Sequence, residues 1–126
     1  MQKNRKRDEV ELTKILLKIR NLKEDLKHHK ISNHIDLGKV HRTVRRGLAG
    51  ELADIFELTK RLTDKTQEEI REENREMWSI RNRLTHDYDA VLNALLDLWL
   101  KYVVGDQFRD SIEKRLKKIQ QNIAED

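Results

Sequence analysis

The chain has no cysteine and no proline, and only 4 glycines and 5% aromatic residues among its 126 positions. Each shortage removes a class of explanation. Without cysteine there is no disulfide, no thiolate nucleophile and no cysteine-ligated zinc. Without proline, and with glycine scarce, the backbone is offered few breaks, while the abundant leucine, lysine, arginine and glutamate favour helix. No apolar run approaches the roughly 20 residues needed to cross a bilayer. The basic opening, residues 1–8, is not followed by an apolar signal segment. A chain of this length buries enough surface for one core and not for two. The expectation is an all-α protein, a single domain over residues 1–126, soluble and cytoplasmic.

Charge is what the chain has in excess: 40% of residues are Asp, Glu, Lys or Arg, with a net charge of +4. The positives gather at residues 3–7, 27–30, 39–46 and around Arg81 and Arg83. Such clusters are compatible with a polyanionic partner, and equally with solvated helix faces.

Apolar residues recur at three- and four-residue steps. Val10, Leu12, Ile15, Leu16, Ile19, Leu22 and Leu26 predict a first helix from about Asp8 to His29, followed by turn chemistry at Ser32-Asn33. Leu37, Val40, Val44, Leu48, Leu52, Ile55 and Leu62 predict one long second helix from Ile35 or Asp36 to Leu62. Gly47 and Gly50 fall inside it, and a glycine there costs about 1 kcal/mol against alanine, which suggests close helix packing. Thr66-Gln67-Glu68-Glu69 fits a capping box opening a third helix, whose stripe is Ile70, Met77, Ile80 and Leu84. From Val91 to Val104 the apolar face is too broad for a helix with one solvent side, so that helix is central or shared with a second subunit. Gly105-Asp106 breaks the pattern, and Phe108, Ile112, Leu116, Ile119 and Ile123 define a last helix with Lys114, Arg115, Lys117 and Lys118 facing out. The sum is a bundle of four main helices and a fifth.

One stretch looks chemical: Ser79-Ile80-Arg81-Asn82-Arg83-Leu84-Thr85-His86-Asp87-Tyr88-Asp89. On a helix Asn82 and His86 share a face, and Arg81, Thr85 and Tyr88 share an adjoining one. Arg81 and His86 are about 140° apart around a straight helix, so a cleft that uses both must wrap the helix edge or be completed by another helix. The residue types suit phosphodiester chemistry. Arginine presents a planar fork that holds a phosphate and neutralises charge developing on it, and histidine moves a proton near neutral pH. RNA carries its own nucleophile, the 2′-hydroxyl. The same residues also serve as surface, capping or partly buried groups.

The run Arg81-Asn82-Arg83-Leu84-Thr85-His86-Asp87-Tyr88 resembles the Arg-x-x-x-x-His-x-Tyr signature of the HEPN superfamily, most closely the HepT-type toxins paired with a minimal nucleotidyltransferase antitoxin. The fuller pattern Arg-Asn-x-Leu-x-His-x-Tyr is matched without a gap. The resemblance departs where the family often carries proline and tryptophan before the arginine, since Glu73-Asn74 stand there and the tryptophan is Trp78, and where a glycine precedes the second-helix glutamate, here Phe56. It implies a HEPN-type bundle that dimerises around a shared positive cleft, and metal-independent endoribonuclease activity without a cofactor. By the same resemblance Arg81 holds the scissile phosphate, His86 is general base or acid, Asn82 orients them, and Tyr88 accepts AMP from an MntA-type nucleotidyltransferase antitoxin.

Two other readings keep part of this. A noncatalytic HEPN subunit would bind the nucleotidyltransferase and nucleotide without cutting RNA, and a basic helical adaptor would bind nucleic acid and do neither. His28, His29, His34 and His41 have no regular metal-ligand spacing. Asp54 and Glu57 lie on the second helix, where Glu57 could contact the motif helix or form a surface ion pair.

Overall fold

The computed structural model describes residues 2–79, 101–102 and 105–125, and among these every regular element is helical. Helix α1 runs Gln2–His28, α2 His34–Lys39, α3 Arg42–Thr59, α4 Asp64–Glu73 and α5 Asp106–Glu125. Residues 75–79 and 101–102 are helical as well. No helix among the described residues is long and apolar enough to cross a membrane.

Helix α1 is the spine, packed against α3 on one side and α5 on the other, with α4 against α5. Its stripe behaves as the spacing predicts: Leu12, Ile15, Ile19, Leu22 and Leu26 are buried against Leu48, Leu52, Ile55, Phe108 and Ile112. Val10 is the exception, 51% exposed. Lys18 Nζ lies 3.8 Å from Asp54 Oδ2, and Asp25 hydrogen-bonds Glu51, so α1 and α3 run antiparallel.

The long second helix is divided. Val40 and His41 are extended (ψ 157° and 146°), and two short-range devices make the division. Asn33 Oδ1 accepts from the backbone N–H of Ile35 and Asp36 at 2.9 and 3.1 Å, starting α2. His41 Nδ1 accepts from Thr43 N–H at 3.1 Å, starting α3 afresh. Polar side chains that satisfy free N–H groups make a helix start cheap wherever they stand. Among the described residues the close packing expected at Gly47 and Gly50 is also absent, since a Cβ added at either would meet none of them within 4 Å.

The third helix begins earlier than the capping box suggests. Thr63 is the N-cap residue, and Thr66 sits inside the first turn of α4 with its hydroxyl turned to α1. The buried carboxylate of Asp8 takes the place of a local cap: its Oδ1 accepts Thr63 N–H at 2.8 Å, and its Oδ2 accepts the hydroxyls of Thr63 and Thr66, each at 2.7 Å. A carboxylate at a helix N-terminus faces the positive end of the dipole, so α1 caps α4 from 58 residues away.

Candidate functional site

Arg81, Asn82, His86 and Tyr88 lie outside the described residues, as do Ile80, Leu84 and the apolar run from Val91 to Leu100. The structure does describe the two ends from which that stretch departs and to which it returns.

The departure is shaped by Asn74. It ends α4 with φ −131° and ψ 38°, and residues 75–79 resume as helix, so the continuous third helix read from the stripe is interrupted here. Asn74 is 2% exposed. Its Nδ2 donates to Ile70 O at 2.8 Å and to Ser111 Oγ of α5 at 3.3 Å. Asparagine competes with the helix for backbone partners and tolerates such a break. Next to it the Glu73 carboxylate is held on α5: Arg115 Nη2 donates to Oε1 at 2.6 Å, Arg115 Nη1 to Oε2 at 3.0 Å, and Ser111 Oγ to Oε2 at 2.7 Å. This forked pair, with a third hydrogen bond from Ser111, holds the Glu73 carboxyl below the usual carboxylate range. Arg115 is therefore not one of the outward cations of the last helix. It is 8% exposed and also lies 3.3 Å from Glu69 Oε2.

The return is tied to the same place. Tyr102 hydrogen-bonds Glu76, which pushes its hydroxyl above the ordinary tyrosine value, and Gln107 Nε2 donates to Glu73 O at 2.9 Å. Gly105 N–H donates to Lys101 O at 2.9 Å, and a Cβ at Gly105 would stand 2.5 Å from that oxygen, so glycine is required by the close approach. The chain thus leaves at 73–79 and re-enters at 101–107 side by side.

Trp78, three residues before Arg81, packs edge-on to Phe56 of α3 with ring centroids 5.0 Å apart and 67° between planes, and Arg71 Cζ lies 5.8 Å from the indole centroid.

Glu57 makes an exposed ion pair with Lys60 at 3.0 Å. Among the histidines, His41 caps α3, and His28 and His29 stack edge to face with centroids 5.1 Å apart. No group of three or more potential metal ligands occurs among the described residues. A groove of about 440 Å³ on the outer face of α4 is lined by Asp64, Gln67, Glu68, Arg71, Glu72 and Arg75, charges of both signs.

Sequence reasoning missed three buried polar residues: Asp8, which caps the start of α4, and Asn74 and Arg115, which hold its end where this stretch departs. A signal was present for two of them. Asp8 stands four residues before Leu12 and Arg115 three after Ile112, both on apolar stripes where a charge needs a partner. In comparisons with known proteins the chain matches no family model, no curated protein and no solved structure.

Proposed function

We propose that this protein is a HEPN-type endoribonuclease, the toxin of a toxin–antitoxin pair, acting as a homodimer in the cytoplasm without a metal. The observation that carries the reading is the ungapped run Arg81-Asn82-Arg83-Leu84-Thr85-His86-Asp87-Tyr88. The all-helical architecture supports it, and so does the pinning of both ends of the motif stretch by Glu73–Arg115 and Glu76–Tyr102.

The chemistry uses RNA's own nucleophile. His86 takes the proton from a 2′-hydroxyl, and the 2′-oxygen forms a bond to the adjacent phosphorus. The P–O5′ bond breaks, and the departing 5′-oxygen takes up a proton. The products are a 2′,3′-cyclic phosphate and a 5′-hydroxyl. Arg81 holds the phosphate through its planar fork and offsets the negative charge that grows on its oxygens, a stabilisation worth about 10²–10³ in rate for a single group. Asn82 orients the pair by hydrogen bonds. AMP placed on Tyr88 by a nucleotidyltransferase antitoxin would set a phosphate and a base where the RNA phosphate must sit, repelling it by like charge and bulk.

A protein acting in this way degrades a mixed RNA pool, and Arg81→Ala and His86→Ala each remove the activity while leaving the fold intact. Wild type and both variants, folded, unmodified at Tyr88 and equally inert, would instead identify a noncatalytic subunit that binds its nucleotidyltransferase.

A further inference from the structure

A basic surface lies where the end of α1, α2 and the start of α3 meet, at residues that precede the motif in the sequence. Residues 27–46 contain six cations, Lys27, Lys30, Lys39, Arg42, Arg45 and Arg46, against one acid, Asp36, so this corner carries +5 where the whole chain carries +4. Asp25 in the last turn of α1 meets Glu51 midway along α3, and the first turns of α3 are held to α2, which follows α1 directly, by Arg45. Lys27, Lys30, Lys39, Arg42 and Arg46 are exposed, and none of them has an ion-pair partner among the described residues. Asp36 is engaged, its Oδ2 accepting Ser32 N–H at 2.8 Å. Arg45 donates to Leu37 O at 3.3 Å, fixing α2 against α3.

Four of these cations stand where folding alone disfavours them. Lys30 closes α1 in the left-handed conformation, φ 57°, with Ile31 N–H donating to Leu26 O at 2.9 Å, a position that favours glycine. Arg42, Arg45 and Arg46 occupy the first turns of α3, which have no acidic residue, and so load positive charge onto the positive end of the helix dipole. Residues that break local rules at one place mark a function kept against stability. The exposed edge-to-face rings of His28 and His29 add flat surfaces beside the charges, which suits bases more than lipid headgroups.

We infer that this corner, built from residues other than those that would cut RNA, is a docking surface for the phosphate backbone of single-stranded RNA. The inference does not depend on cleavage, and its test excludes cleavage. Binding is measured by fluorescence anisotropy on an RNA oligonucleotide with every 2′-hydroxyl methylated, as a function of salt. Neutralising four of the charges together, Lys27→Gln, Lys30→Gln, Arg42→Gln and Arg46→Gln, should weaken binding at least tenfold at about 50 mM salt. It should also flatten the log–log salt slope by up to about 3, since each single-strand phosphate contact contributes about 0.7. A control of equal net charge, Lys6→Gln, Lys65→Gln, Lys117→Gln and Lys118→Gln, should leave the slope within about 1 of wild type.

Lys30→Gly alone should raise the melting temperature by about 2–5 °C and weaken RNA binding. A rise in stability with unchanged binding would make Lys30 an ordinary solvated lysine and overturn its part. Equal losses in the two fourfold variants would reduce the effect to net charge and overturn the whole inference. So would loss of binding to phosphatidylserine vesicles in the corner variant with RNA affinity unchanged, which would assign the surface to a membrane.

Discussion

Arg115 and Glu73 meet through two hydrogen bonds, 2.6 and 3.0 Å, where α5 closes against the end of α4. The pair does for the motif stretch what a hinge pin does for a door: it fixes where the chain departs and where it returns. Arg115→Ala removes the forked partner of Glu73, leaving it the Ser111 hydroxyl and the more distant Lys114, and opens a gap in a buried position. The expected loss is about 2–3 kcal/mol in urea unfolding, less than for a fully buried pair because Glu73 is partly exposed.

The same pair makes stability depend on acid. The Arg115 guanidinium holds the Glu73 carboxyl below its ordinary 4.5 in the folded protein. Its contribution is fully present above that ordinary value and disappears as pH falls through the lower folded value. In Glu73→Gln the stability lost below pH 4.5 should be smaller than in wild type, read as melting temperature against pH.

Glu51 works in the opposite sense. Burial against α1, then the hydrogen bond with Asp25, push its carboxyl up to about 7. A raised carboxyl keeps its proton in the folded state and loses it in the unfolded one, so stability falls as pH rises from 4.5 to about 7. Glu51→Gln should stabilise the protein at pH 8 by about 1–3 kcal/mol and change it little at pH 4. An equal effect at both pH values would contradict the assignment.

The glycines separate cleanly. Gly47→Ala and Gly50→Ala add a methyl group in open space within a helix and should each stabilise by about 0.5–1 kcal/mol. Gly105→Ala sets a Cβ 2.5 Å from Lys101 O and should destabilise. Thermal unfolding of the three variants is sufficient to check the signs.

Asp8 and Thr66 should be energetically coupled despite the 58 residues between them. In a double-mutant cycle of Asp8→Asn and Thr66→Ala the interaction energy is expected at about 0.5–3 kcal/mol. A capping box within α4 would instead give two independent effects.

What the sequence made legible was local. The stripe from Leu12 to Leu26 and that from Phe108 to Ile112 are buried as their spacing requires, because an amphipathic helix has one face to bury whatever packs on it. The errors share a cause. The break at Val40-His41, the role of Thr66 and the burial of Arg115 each depend on a competing or distant partner, an imidazole that caps afresh, a carboxylate on α1 and a carboxylate on α4. A charge on an apolar stripe signals that a partner is needed, as at Asp8 and Arg115, but the periodicity does not say which residue it is. Of the site, Arg81, Asn82, His86 and Tyr88 rest on their order in the chain, while the residues that frame them, Asn74, Glu73 and Tyr102, came from the structure.

The ribonuclease reading is tested most directly by incubating a mixed RNA pool with purified wild type, Arg81→Ala and His86→Ala in EDTA and mapping the product ends. The account predicts cleavage by wild type alone, with 2′,3′-cyclic phosphate and 5′-hydroxyl ends, and a loss of about 10²-fold or more in each variant. Cleavage that persists undiminished in both variants, or products ending in 3′-hydroxyl, would contradict it.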